Sequence, residues 1–287
     1  TRPLANRGGD SHTMPHTPFI IADLDGTLLH DAERFEDRAL SARTIETVHA
    51  VRSRGIPVVV ATARPVSTGL SIVQALHADA CIYLNGALID FDPSQSDYAS
   101  LTGHKPSSPG SLVKNGFDSQ RACEVCRAML SVMPDLEIGI VMDDIRYTNF
   151  DVSRYWATQT WQYTDFRDVP HGIADKIIIF PRAEQTNLLH ELIPDDFTVH
   201  VSEGRLWMLM APHANKKDAV QALCDQWGMD AQQATAFGDD MVDIGMMNLS
   251  GTGVAVANAN PAVLSIADEV CPSNNDDGVA QWLEHAM

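Results

Sequence analysis

The stretch Pro18-Phe-Ile-Ile-Ala-Asp-Leu-Asp-Gly-Thr27 decides the reading of the chain. An apolar run without polar alternation ends abruptly in two carboxylates and a glycine, the pattern of a strand buried on both faces with polar groups at its carboxyl end. Further along the chain, Ser41 to Arg54 carries Ile45, Val48 and Val51 near helical spacing and stops at Gly55. Ile56-Pro-Val-Val-Val-Ala61 is a second buried strand, and in Thr62-Ala-Arg-Pro65 the proline suits the first turn of a new helix. A third run, Ala80-Cys-Ile-Tyr-Leu84, ends in Asn85-Gly86. Strand, helix, strand, helix, strand predicts an α/β fold built on a doubly wound parallel sheet, Rossmann-like in layout.

From about Phe91 to Gly116 the composition turns to Ser, Pro, Gly and Asp and the alternation breaks. A helix is expected over Phe117–Val132, then two short strands (Leu136–Val141, Ile145–Phe150). Further on come strand Lys176–Phe180, helix Ala183–Leu192 and strands near Phe197–Val201 and Leu206–Met210. After Pro212 the buried pattern resumes with helix Asp218–Trp227, strand Ala234–Phe237 before Gly238-Asp239-Asp240, and strand Gly253–Ala257 before Asn258. The expected organisation is therefore a core of residues 14–90 and 212–287 interrupted by an α+β insertion, residues 91–211. Residues 1–13 are polar and precede Met14, as an unstructured extension would.

The chain has 287 residues, 38 acidic and 20 basic, for a net charge of −18. Such a surface repels nucleic-acid backbones and anionic lipid, so neither partner is expected. No apolar run approaches the roughly 18 residues of a membrane span. Five cysteines without a regular framework suit a reducing, cytoplasmic setting. Cys123 and Cys126 have CxxC spacing, but with no second pair they read as ordinary helix residues. Small-molecule chemistry is the leading class, in a monomer or homodimer.

Open parallel sheets bind ligands at the carboxyl ends of their strands. Here those ends carry Asp23 with Asp25, Thr62, Asn85 and Asp239. Carboxylates from two strand ends can hold Mg²⁺, which takes one or two protein carboxylates together with phosphate oxygens and water. Thr62 and nearby loop amides can donate to phosphate. Residues 212–287 hold eleven acidic side chains and two basic ones, the adjacent Lys216 and Lys217. Neighbours on a helix face different ways, so one can turn to the crevice and the other to solvent. Each element alone would read as a turn, a cap or a solvated helix start. Their conjunction on one sheet edge points to a phosphate site. Phosphate-loop, nucleophile-elbow and HExxH motifs are absent, and Gly251-Thr-Gly253 lacks the third glycine of a dinucleotide fingerprint.

With these residues in place the chain resembles the haloacid-dehalogenase superfamily of phosphotransferases, in its Cof-like branch with a large α/β cap. The motifs are Asp23-Leu-Asp25-Gly-Thr27, Val60-Ala-Thr62-Ala-Arg64-Pro65, Asn85-Gly86-Ala87, Lys216 in Pro212-His-Ala-Asn-Lys216-Lys217, Gly238-Asp239-Asp-Met-Val-Asp243, and Asp277-Gly278-Val279-Ala280. The resemblance implies that Asp23 is a nucleophile forming an aspartyl-phosphate and that Asp25 is the acid and base, a role that needs a carboxyl able to hold a proton near neutral pH. It implies a Mg²⁺ site of Asp23, the Asp25 main-chain carbonyl, Asp239 and supporting Asp243, and a phosphate cradle of Thr62, the Ala63 and Leu24 amides and Lys216. Two positions depart from the branch pattern: Ala63 replaces a glycine, and Val242 an asparagine expected to touch phosphate.

The expected activity is Mg²⁺-dependent hydrolysis of a small phosphomonoester, a sugar or cofactor-type phosphate, with residues 91–211 as a cap that closes over the crevice. Arg154, Tyr155, Trp156 and His171 are candidate substrate contacts, with packing as the competing role for each. A sugar phosphomutase is the alternative enzyme. A phospho-accepting receiver-type module is the alternative of another class, disfavoured by Asp25 and by the long insertion.

Overall fold

The computed structural model describes residues 19–202 and 204–287. The extension expected over residues 1–13 lies outside them. The strand Phe19–Ala22 is buried along its whole length and sits at the centre of an eight-stranded sheet. On one side it pairs in parallel with Val58–Ala61, which pairs with Ala80–Tyr83; on the other side follow Ala234–Gly238, Thr252–Val256 and Glu269–Cys271, also parallel. The chain thus winds outward in both directions from the seam between Phe19–Ala22 and Ala234–Gly238, and that seam is the topological switch point. Leu88–Asp90 and Leu112–Lys114 extend the sheet antiparallel beyond Ala80–Tyr83. The core sheet therefore runs to Lys114, past the change of composition at residue 91. Strands of three residues carry too little pattern to stand out of the Ser/Pro/Gly-rich stretch around them.

The helices follow their punctuation. Ser41 caps Ala42–Ser53 by accepting from the Thr44 amide, Pro65 precedes Val66–Leu76, and Asn215 caps Lys216–Trp227 by accepting from the Asp218 amide. Ala42–Ser53 packs on the last helix, Gly278–Ala286.

The second sheet has six strands in the order Thr198–Ser202, Leu206–Met210, Lys176–Phe180, Glu137–Met142, Ile145–Thr148, Trp161–Tyr163. Two antiparallel hairpins flank the strand Lys176–Phe180, and each is preceded by a helix, Ser119–Val132 or Thr186–Leu192. Alternation assigns the faces. Ile177 and Ile179 join Ile138, Ile140 and Leu209 in a core closed by the two helices, whereas Ile178, Val141 and Met208 join the cluster of the first sheet. Cys123 and Cys126 are buried thiols of the helix Ser119–Val132, as read from the sequence, and all five cysteines are free.

Candidate active site

Asp23 and Asp239 follow the two strands that meet at the switch point, and the amide of Asp23 donates to the Phe237 carbonyl across the seam at 3.1 Å. Asp23 is buried, and its Oδ1 accepts from the Leu24 amide at 2.7 Å and from Lys216 Nζ at 3.0 Å. Lys216 is the first residue of its helix, a position where the dipole disfavours a cation. Its stabilisation comes from the second carboxylate, since Nζ also donates to Asp243 Oδ1 at 2.7 Å. Burial works against the ammonium, but Asp23 and Asp243 outweigh it and hold Lys216 above its usual range. Lys217 is exposed, so the two neighbours divide between site and solvent.

Asp243 is fully buried, and its other oxygen accepts from the amides of Asp239 and Asp240 at 3.0 and 3.1 Å. Both of its oxygens are thus engaged by the chain itself, which makes it a brace for the loop that carries Asp239. Asp239 accepts from Thr27 Oγ1 at 2.7 Å. Gly26 has a left-handed φ of +76°, and a Cβ there would collide with the Asp239 carboxylate. Asp23, Asp239 and Asp243 each bring a carboxylate oxygen within 4.8 Å of the others. Desolvation first, and then the neighbouring carboxylates, raise Asp23 well above the carboxylate range against the opposing pull of Lys216. Burial and Asp243 raise Asp239 to about 7. Three carboxylates against one ammonium leave an excess of negative charge, and an all-oxygen donor set of this kind fits a hard divalent cation.

Asp25 faces the other way. Arg64 Nε and Nη2 hold its two oxygens at 2.7 and 2.8 Å, and Arg38 adds a contact at 3.2 Å. Its carboxylate is not among the three that converge. Arg64 is 3% exposed, lies over the Phe35 ring at 4.2 Å from its centroid, and donates from Nη1 to the Thr68 carbonyl. A planar guanidinium with this many fixed partners is a rigid clamp.

Thr62, Ala63 and Leu24, expected at a phosphate, stand just beyond the strands Val58–Ala61 and Phe19–Ala22. Thr62 is buried at its strand end, and its hydroxyl accepts from the Arg64 amide at 3.0 Å. The Leu24 amide is committed to Asp23. Ala63 and Val242 line a cavity of about 760 Å³ over the sheet edge, together with Asp23, Asp25 and Asp239. Its far side is the second sheet and the irregular segment with Arg154, Tyr155 and Trp156. His171, also a candidate, is exposed and does not line the cavity. Sequence reading missed the parts of Arg38, Arg64, Arg146 and Lys176. Arg64 stood inside a quoted motif without a role. Arg146 stands inside the short strand Ile145–Thr148 and Lys176 opens the strand Lys176–Phe180, and neither segment has an alternation that marks the cation.

The profile of the haloacid dehalogenase-like hydrolase family matches residues 20–283. The 5-amino-6-(5-phospho-D-ribitylamino)uracil phosphatase YitU of Bacillus subtilis is 26% identical over 94% of this chain and 98% of its own length. A phosphoglycolate phosphatase of Methanopyrus kandleri is 24% identical over 94% of this chain and 97% of its own. A solved subclass IIB sugar phosphatase of the superfamily has the same fold, with a TM-score of 0.73 at 19% identity over 93% of this chain and 98% of that one. The α/β fold wound from one seam, its motifs gathered at the strand ends, and the match over nearly the whole chain place the protein in the haloacid dehalogenase-like hydrolase family.

Proposed function

We propose that the protein is a Mg²⁺-dependent phosphatase that hydrolyses a small phosphomonoester through an aspartyl-phosphate. The observation that carries this reading is the division of labour between two carboxylates two residues apart: Asp23 bound to Lys216, Asp25 clamped by Arg64. An Asp23 oxygen attacks phosphorus and forms the new P–O bond while the bond to the leaving alcohol breaks, and Asp25 supplies the proton to that alcohol. Asp25 then takes a proton from water as its oxygen attacks the aspartyl-phosphate, releasing inorganic phosphate and restoring Asp23. Lys216 holds Asp23 in place and offers positive charge to the transferring oxygens, with Thr62 and the Ala63 amide at the same strand end. Asp23, Asp239 and the Asp25 carbonyl would hold Mg²⁺, with Asp243 bracing them, and the ion would shield the phosphate from the anionic nucleophile.

The part of residues 91–211 that lies beyond Lys114 acts as the cap in this reading, with the second sheet closing the cavity. Relatives named as phosphatases of a phosphoribityl compound and of phosphoglycolate support a small phosphorylated metabolite as substrate. Five free, buried cysteines support a cytoplasmic setting, and no helix among the described residues is long and apolar enough to cross a membrane. The test is phosphate release from sugar phosphates, nucleotides and pyridoxal phosphate with Mg²⁺. Asp23→Asn and chelator should each abolish it, and turnover that survives Asp23→Asn would overturn the mechanism. Release of inorganic phosphate without an activating bisphosphate separates hydrolysis from the mutase alternative.

A further inference from the structure

The cavity has two walls of opposite charge. Its core wall carries six carboxylates, and the arginines among them are already committed, Arg38 and Arg64 to Asp25 and Arg34 to Asp37. The wall from the second sheet and its loops carries Arg146, Arg154, Lys176 and Arg205, with no carboxylate among the described lining residues. Composition does not supply this bias, because residues 91–211 hold 17 acidic and 10 basic side chains. Four of those cations have been gathered on one inner surface; Arg154 is paired with Glu137 and Arg146 with Asp144, which leaves Lys176 and Arg205 without a carboxylate partner among the described residues.

The register makes the gathering specific. Val141 pairs with Lys176 on one side and with Arg146 on the other, so the two cations share a cross-strand row on the face toward the core sheet. They stand two strand spacings apart, about 10 Å. Arg146 is buried and bound through Nη1 to Asp144, at 2.7 Å from Oδ1. Lys176 has no carboxylate within ion-pair distance among the described residues, its polar contact being Met208 Sδ at 3.6 Å. Burial, with Arg146 adding to it, lowers Lys176 to about 8 although Asp175 and Asp144 pull the other way. An ammonium without a direct ion-pair partner, beside a second cation on an apolar face, is costly unless an anion comes to it. Beside it Tyr155 stacks on Phe180 at 3.8 Å, with Trp156 against the same ring, giving a flat apolar surface next to the charges.

Resting on the phosphatase reading, we propose that the substrate is a phosphomonoester whose leaving group carries a second anionic group, a phosphate or a carboxylate, bound by Lys176 and Arg146 on the cap wall. Such a ligand joins both walls, with the transferring phosphate at Asp23 and Lys216 and the second anion at the opposite sheet. A phosphate ester whose leaving group is neutral leaves the cap cations unmatched, so selectivity arises from the cost of that mismatch as well as from the new contact.

The test compares matched substrates with Mg²⁺ on the full chain: glucose 1,6-bisphosphate against glucose 6-phosphate, and phosphoglycolate against 2-hydroxyethyl phosphate. The wild-type protein should favour the member with the second anion in at least one pair, and which pair identifies phosphate or carboxylate. Lys176→Met should cut kcat/KM for that member by roughly ten- to a hundredfold, through KM, and leave its neutral partner nearly unchanged. Arg205→Gln, at an exposed position, should give a smaller loss of the same selective kind and guards against a folding artefact. No preference in either pair overturns the proposal. So does an equal loss on both members, which would mean that the cations serve the transferring phosphate. In either case p-nitrophenyl phosphate would still be hydrolysed, and the phosphatase reading would stand. Should no ester be turned over, calorimetric binding of the same four compounds reads the cap site alone: weaker binding of only the second-anion members in Lys176→Met supports the proposal, and uniform binding overturns it.

Discussion

At the scale of single residues, the pairing of Asp25 with Arg64 is the contact that composition could not foretell. In the proposed mechanism Asp25 shuttles a proton and must be aimed, and two parallel N–H···O bonds from a buried guanidinium fix both its position and its plane. Lysine retains the charge but offers a single point of contact on a flexible stem. Arg64→Lys is therefore expected to lower kcat by about 10²-fold with a smaller change in KM, because a small misplacement of a catalytic group acts on the reacting geometry more than on binding. Steady-state kinetics on a generic aryl phosphate measures the split, and an unchanged kcat would count against a positioning role for Arg64. The Lys216 contacts are of a different kind. An ammonium with two carboxylates in a buried setting is held by its partners, and removing it would strand their charge.

At the scale of elements, the turn Leu84–Gly86 shows why a motif can be legible while its purpose is not. Leu84 and Asn85 both have left-handed backbone, with φ of 52° and 54°, and Gly86 has φ of 107°. A Cβ on Gly86 would lie 2.6 Å from the main-chain oxygen of Asn215, the cap of the helix that begins with Lys216. The glycine is thus required by the close approach of a helix start that lies far away in sequence. Gly86→Ala is expected to cost ~1–3 kcal/mol from backbone strain alone, and to lower phosphate affinity by displacing Lys216. Thermal unfolding and KM for a phosphate ester check the two effects together; a fall in stability without a change in KM would show that Lys216 keeps its place. The buried strands and the residues that end them were legible because parallel strands covered on both faces have an unbroken apolar signature. Strands of two or three residues, such as Leu88–Asp90 and Leu112–Lys114, were not, since they are formed by pairing with a neighbour and carry little pattern of their own. Asp23, Lys216 and Asp239 could be placed because each closes or opens a strong element. Arg146 and Lys176 could not, because their joint meaning lies in the register of two strands with a third between them.

At the scale of the molecule, the charge of −18 conceals an opposition between one acidic and one basic wall across a single cavity. A comparable concentration of charge marks the seam where the two sheets meet. The turn Asp143–Asp144 reaches the core through Lys114, through Ser67 Oγ at 3.3 Å and through Tyr98 Oη at 2.9 Å. Asp175, 3% exposed, lies in the same seam just before the strand Lys176–Phe180. Burial raises its carboxyl to about 7; Lys114 and Lys176 oppose the shift, while Asp143 and Asp144 add to it. A carboxyl whose folded pKa exceeds its unfolded value of about 3.9 binds its proton more tightly when folded, so its contribution is greatest at low pH. That contribution is lost as the pH rises from about 4 through 7, by at most on the order of 4 kcal/mol. Asparagine keeps the shape and cannot ionise. The melting temperature of Asp175→Asn relative to wild type should therefore climb by several degrees between pH 4 and pH 8, with the change concentrated below pH 7. Melting curves that run parallel over this range would mean that Asp175 stays charged in the fold, and that Lys114 and Lys176 carry its compensation across the seam.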